Sequence, residues 1–209
     1  MDNLQLLALS ILRQSILRCC SRNGLLRSKT FGVTARFFVP GFAPIPVEAL
    51  PGEYQLRHKD SDFLFAMEFE SLPHNKFDTV ASDRPENAHK NRYNDIKAYD
   101  VTRVKLETLE DDLSSDYINA NFVEGFKGRK LFVAAQGPKE ETVMDFWRMI
   151  WEQNCKIVVM ATNLHEKYRS MCYKYWPDEG SKTYGLVDVT LVDATVYADY
   201  TIRTFSVTK

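Results

Sequence analysis

Lys90-Asn91-Arg92-Tyr93-Asn94-Asp95-Ile96 is the stretch on which the reading of this chain turns, because four further uncommon runs follow it in a set order. Asp116-Tyr117-Ile118-Asn119-Ala120-Asn121 comes next, then Gln136-Gly137-Pro138, then Asp145-Phe146-Trp147-Arg148-Met149-Ile150-Trp151-Glu152, and last Tyr175-Trp176-Pro177. Around them lie segments of strand character at 101–106, 117–123, 131–135, 157–161, 186–192 and 200–207. Val187, Val189 and Leu191 alternate with Asp188 and Thr190, the period-two pattern of a half-buried strand. The last two segments read as a long hairpin or meander. Val143, Phe146, Trp147, Ile150 and Trp151 stand at i, i+3, i+4, i+7 and i+8, which predicts a helix whose wide apolar stripe packs a core.

The chain has 209 residues, 44% hydrophobic and 12% aromatic, enough for one globular domain with a core. A formal net charge of −1 supplies no global field to recruit nucleic acid or an anionic membrane, so any attraction for a phosphate group must be local. The cysteines Cys19, Cys20, Cys155 and Cys172 form no CxxC pair and no metal-ligand spacing with the histidines, which fits a reducing compartment.

Taken together, the five ordered runs resemble the N-terminal half of a tyrosine-specific protein phosphatase domain, most like the cytoplasmic domain of the receptor type, from about Pro44 to Lys209. The resemblance implies an α/β (α+β) fold, an incomplete phosphatase fold with a mixed twisted sheet and flanking helices. It also implies that the chain stops before the family's mobile acid loop and its Cys-x5-Arg phosphate-binding loop. Six positions beyond the four cysteines stand Leu25, Leu26, Ala161 and Asp178, so none has the arginine that would bind phosphate oxygens. No catalytic residue, metal or cofactor is therefore expected within the chain.

What the resemblance carries over is one side of a cleft. Tyr93 corresponds to the tyrosine that stacks on the substrate phosphotyrosine ring, and Asp95 to the residue that hydrogen-bonds the substrate peptide backbone. Glu166 corresponds to the glutamate that pairs with the phosphate-binding arginine. Asp116–Asn121 and Gln136–Pro138 correspond to framework that positions the cleft through buried hydrogen bonds and turns. Met171 stands where the family often has lysine, a departure that bears on closure of the acid loop. Trp176-Pro177-Asp178 imitates the family's general-acid tripeptide, but it precedes the expected hairpin, so Asp178 is expected in a surface turn. The implied partner is a phosphotyrosine-containing protein or peptide, with no nucleic acid. Two readings stay open: a fragment or short isoform of a phosphatase, and a non-catalytic phosphotyrosine- or partner-binding protein.

Residues 1–39 differ in composition: Arg13, Arg18, Arg22, Arg27, Lys29 and Arg36 face the single acid Asp2. Leu4, Leu7, Ile11 and Leu12 recur near a helical period, which predicts an amphipathic basic helix. It reads either as a mitochondrial import signal or as unrelated sequence joined to the domain, whose own location is expected to be cytoplasmic. Arg13 and Arg18 interrupt the only apolar run that approaches the roughly 18 residues of a membrane span. A proline-rich linker at 40–52 is expected to bound the phosphatase part at 53–209, with a lead-in helix carrying Phe65 and Phe69 on one face. If the missing half leaves the sheet unfinished, Trp147, Trp151 and the strand at 157–161 are expected to expose apolar surface and an open edge.

Overall fold

The computed structural model describes residues 3–11, 44–72, 76–125, 128 and 131–209, and its helices and mainly antiparallel sheets form an α+β architecture. The basic cluster at 13–36, Cys19, Cys20 and the first part of the expected linker lie outside the described residues. Two compact units divide the chain: Gly24–Lys76, and Met1–Asn23 together with Phe77–Lys209.

The smaller unit is helical. A short 3-10 turn at Val47–Ala49 leads into α1 (Leu50–Arg57) and α2 (Lys59–Glu70), so regular structure begins inside the stretch expected as linker. Pro51 sits at the start of α1, where its missing N–H costs no helical bond. Arg57 ties the two helices together, with its guanidinium 2.6 Å from Glu68 and 3.4 Å from Glu53. Asp60, Ser61 and Asp62 take positive φ, so the unbroken part of α2 starts at Phe63. Phe65 and Phe69 do lie on it, with His58 packed edge-on against Phe65.

The larger unit contains β1 (Asn3–Ile11), α3 (Val80–Asp83), α4 (Pro85–Ala88), β2 (Arg103–Lys105), β3 (Tyr117–Glu124), β4 (Leu131–Ala135), α5 (Val143–Glu152), β5 (Ile157–Met160), β6 (His165–Glu166), β7 (Arg169–Ser170), β8 (Ser181–Tyr184), β9 (Val187–Val196) and β10 (Tyr200–Thr208). Every strand read from the sequence appears, the first shortened to Arg103–Lys105. β9 and β10 form the expected pair, with a bulge in their register at Thr204/Phe205, and β8, not read from the sequence, adds a third strand to make a meander. The large sheet has the order β5-β1-β10-β9-β8, and β2-β3-β4 makes a separate antiparallel sheet.

Two expectations are corrected. The segment around Leu4, Leu7 and Ile11 is a strand and not an amphipathic helix: β1 runs antiparallel to β10 over nine residue pairs and parallel to β5 over four. A helix of a dozen residues is marginal by itself in water, whereas two sheet neighbours satisfy the strand's backbone on both edges. Trp147, expected on exposed surface, is fully buried (0%) among Phe146, Tyr175, Tyr184 and Phe205. The meander covers the apolar stripe of α5, so burial of the stripe needs only elements present in the chain. Trp151 is half-buried against the same core. The strand at 157–160 does keep an exposed face, with Ile157 and Val159 62% and 55% accessible.

Candidate functional site

The Lys90–Ile96 segment is a loop, and a loop holds a side chain in place only if its own polar groups are tied down. Lys90 is buried and donates from Nζ to Ser114 O at 2.7 Å. Asn91, also buried, accepts at Oδ1 from the Tyr117 hydroxyl at 2.6 Å and from Asn119 Nδ2 at 3.0 Å, and donates from Nδ2 to Ser82 O at 3.2 Å. Burial pushes the Tyr117 phenol above its ordinary value, so it remains a protonated donor. Gln136 completes the network: its Nε2 donates to Lys90 O at 2.7 Å while Oε1 accepts from Arg92 N at 2.9 Å and Asn119 Nδ2 at 3.2 Å. The runs expected as framework thus make one buried, mutually satisfied set of hydrogen bonds around the loop.

Arg92 extends the frame across the surface. Its Nε and Nη2 donate to Gly137 O at 3.2 Å each, Nη2 to Pro138 O at 2.8 Å, and Nη1 to Ser170 O at 3.0 Å. Five fixed N–H donors in one plane suit a cluster of carbonyls that a lysine could only touch one at a time. Gly137 is required where the two backbones meet: a Cβ there would lie 2.7 Å from Met171 O and 3.0 Å from Cys172 Cβ. Tyr173 N closes the junction on Pro138 O at 2.7 Å.

This frame positions the three residues singled out from the sequence. Tyr93 is 39% exposed, and its hydroxyl lies 3.9 Å from Met171 Sδ, a weak contact. Asp95 is exposed on the turn that Ile96 N closes on Tyr93 O at 3.4 Å. Glu166 is half-buried on β6, in register with Arg169 across a hairpin that turns at Lys167, where φ is +54°. The link from Glu166 to Tyr93 runs through that hairpin, which Arg92 grips at Ser170 and Tyr93 touches at Met171. Sequence reading overlooked Arg92 and treated Met171 only as a departure. Arg92 stood beside Tyr93 in the quoted run, yet its partners are backbone carbonyls, which no residue type announces.

Asp178 and the two described cysteines are held in states unsuited to covalent chemistry. Asp178 is exposed in a turn and ion-paired with Lys174, which holds its carboxyl below the ordinary range, the opposite of what a general acid needs. Burial pushes the Cys172 thiol up to about 11, and Cys155 is raised by the same cause. Among the described residues no group of His, Cys, Asp or Glu could hold a metal ion. Starting from an ordinary value of 9.0, a thiol at about 11 carries about a hundredfold less thiolate at pH 8. Iodoacetamide is therefore expected to alkylate Cys172 at least a hundredfold more slowly in the folded chain than in urea. Equal rates, read by peptide mass mapping, would show an open and activated cysteine.

Residues 87–209 match the family model described as protein-tyrosine phosphatase. The chain is 56% identical over 166 residues to a receptor-type tyrosine-protein phosphatase of Caenorhabditis elegans, covering 79% of this chain and 12% of that protein. It is 48% identical over 168 residues to human receptor-type tyrosine-protein phosphatase alpha, covering 79% and 21% respectively. Tyrosine-protein phosphatase 69D of Drosophila melanogaster is 50% identical over 175 residues, covering 81% of this chain and 12% of its own length. The chain thus spans between about an eighth and a fifth of the length of these relatives.

Proposed function

The chain belongs to the protein-tyrosine phosphatase family, and on that premise we propose that its larger unit is the recognition side of a phosphotyrosine cleft, holding a phosphotyrosine-bearing protein segment without hydrolysing it. Tyr93 offers its ring as the cleft wall, against which the substrate ring stacks. Asp95, two residues on and exposed, accepts a hydrogen bond from a peptide N–H of the bound segment. Glu166 stands ready on the neighbouring hairpin for a cationic partner. The observation that supports this reading best is the polar bracing given to an exposed aromatic: buried Asn91 and half-buried Gln136 and Arg92 all brace the loop that presents Tyr93.

Hydrolysis is assigned to chains that carry a Cys-x5-Arg loop, because none of the four cysteines here has the arginine, and the two that are described are raised thiols. A non-catalytic binding protein would use the same wall, so the two readings differ in what else the polypeptide contains and not in this surface. The reading places the chain in the cytoplasm, and the basic segment at 1–39 plays no part in it. Among the described residues no helix is long and apolar enough to cross a membrane.

The test is a titration of the 209-residue chain with a phosphotyrosine peptide and its unphosphorylated twin, followed by NMR shifts, with released phosphate assayed in parallel. Stacking of one aromatic pair contributes about 0.5–1.5 kcal/mol, so Tyr93→Ala is expected to weaken phosphopeptide binding about 2- to 10-fold. Phosphate release should not rise above the buffer blank. Unchanged binding by Tyr93→Ala would remove the wall, and release abolished by Cys172→Ser would overturn the assignment of hydrolysis elsewhere.

A further inference from the structure

The large sheet has an order that its own meander does not explain: β1, from the far end of the sequence, sits between β5 and β10. Asn3–Ile11 pairs residue for residue with Tyr200–Thr208 on one side, and Leu7–Ser10 pairs with Ile157–Met160 on the other. No direct pairing joins β5 to β10. The nine-residue edge of β10 and the four-residue β5 therefore depend on β1 for their partner. The segment Asn3-Leu4-Gln5-Leu6-Leu7-Ala8-Leu9-Ser10-Ile11 carries no charge, and its polar residues are Asn3, Gln5 and Ser10 among six apolar ones, a composition compatible with an interior strand.

We infer that Asn3–Ile11 is an exchangeable strand, and that the slot between β5 and β10 is a strand-binding site whose occupant is this segment, supplied by its own chain or in trans by a second copy. Three features carry the inference. The direction of the occupant is set from both sides, antiparallel to β10 and parallel to β5, so the slot favours one orientation. The hydrogen bonds are main-chain bonds, which an identical segment from another molecule makes equally well. Residues 12–43 separate the strand from Pro44 in the sequence, a contour length of about 100 Å, so covalent connection alone does not forbid the segment from reaching a neighbouring molecule's slot. Because strand and slot belong to one chain, the strand is present at a high effective concentration, so the slot is self-filled until that strand is withdrawn. The inference is independent of the phosphotyrosine reading, because no residue of the Tyr93 loop takes part.

The decisive variant is Leu7→Pro in the 209-residue chain. Leu7 pairs with Thr204 and with Ile157, and proline there removes an N–H and fixes φ, so the chain's own strand cannot seat. The probe is a fluorescent synthetic peptide of residues 1–14. The variant is expected to bind it one to one, the unaltered chain at least tenfold more weakly, and a peptide carrying the same Leu7→Pro change should bind neither. A variant that keeps the native circular dichroism and thermal transition but takes up no peptide would overturn the inference. If the variant does not fold, amide exchange on the unaltered chain decides: protection at 3–11 above free-peptide rates but shorter-lived than at 200–208, which β9 also holds, supports a strand that seats and leaves, and either equal protection or free-peptide rates overturns it.

Discussion

Trp147→Ala is expected to destabilise the larger unit by about 3–5 kcal/mol, a loss comparable with the whole stability of many domains, about 5–15 kcal/mol. The side chain has no exposed surface, stacks on Tyr184 at 5.8 Å between centroids, and meets Phe146, Tyr175 and Phe205 edge-on within 6.2 Å. Alanine would leave a cavity walled by four aromatic rings that cannot collapse together, since they sit on α5, β8, β10 and the 171–177 segment. A second cost comes from Nε1, which donates to Tyr175 O at 2.7 Å, because removing it strands a buried carbonyl. Trp147→Phe separates the two terms by keeping a ring while losing the donor, and should fall between the parent and the alanine variant. Urea midpoints read at constant m measure both, and a loss below about 1 kcal/mol for alanine would show that this cluster does not hold the unit together.

Asn91→Leu is the second large effect, about 2–4 kcal/mol, although leucine is apolar and close in volume. The reason is asymmetric. Asn91 has Tyr117, Asn119 and Ser82 as partners, and each would keep its polar atom buried after the acceptor or donor opposite it vanished. Tyr117→Phe removes one such atom together with its bond and is expected to cost about 1 kcal/mol, because nothing is left unpaired on the tyrosine side. The pair of changes should be non-additive in a double-mutant cycle, as befits groups in one network. The same variant has a consequence at the surface: amide exchange at Tyr93–Ile96 should accelerate, since Gln136 and Asn91 brace that loop together. Strict additivity with unchanged exchange would mean that the network stabilises the core without positioning Tyr93.

Much of this was legible in the sequence, for a local reason. The helix at Val143–Glu152 and the strands at 117–124, 131–135, 157–160, 187–196 and 200–208 announce themselves because a 3.6- or 2-residue period follows from the geometry of one segment against one apolar face. Tyr93 and Asp95 were singled out by another route, the resemblance, in a run whose order relative to the others carried the family. The leader was misread because Leu4, Leu7 and Ile11 suit a helical face as well as a strand enclosed on both sides. Its state was decided by β5 and β10, more than 140 residues away, whose unpaired edges favour an extended partner over a short, marginal helix.

The sequence by itself therefore determined the family, the helix and strands of the core, and the identity of the exposed aromatic, since each of these is written in side-chain type and spacing. Tertiary structure alone decided that Arg92 is the joint between the Tyr93 loop and the Glu166 hairpin, that Gly137 must lack a Cβ, and that Asn3–Ile11 lies between β5 and β10 in the sheet. In all three cases the nearest partner is backbone. Every residue carries the same carbonyl, and all but proline the same N–H, so which of them meet is settled only when the chain has folded.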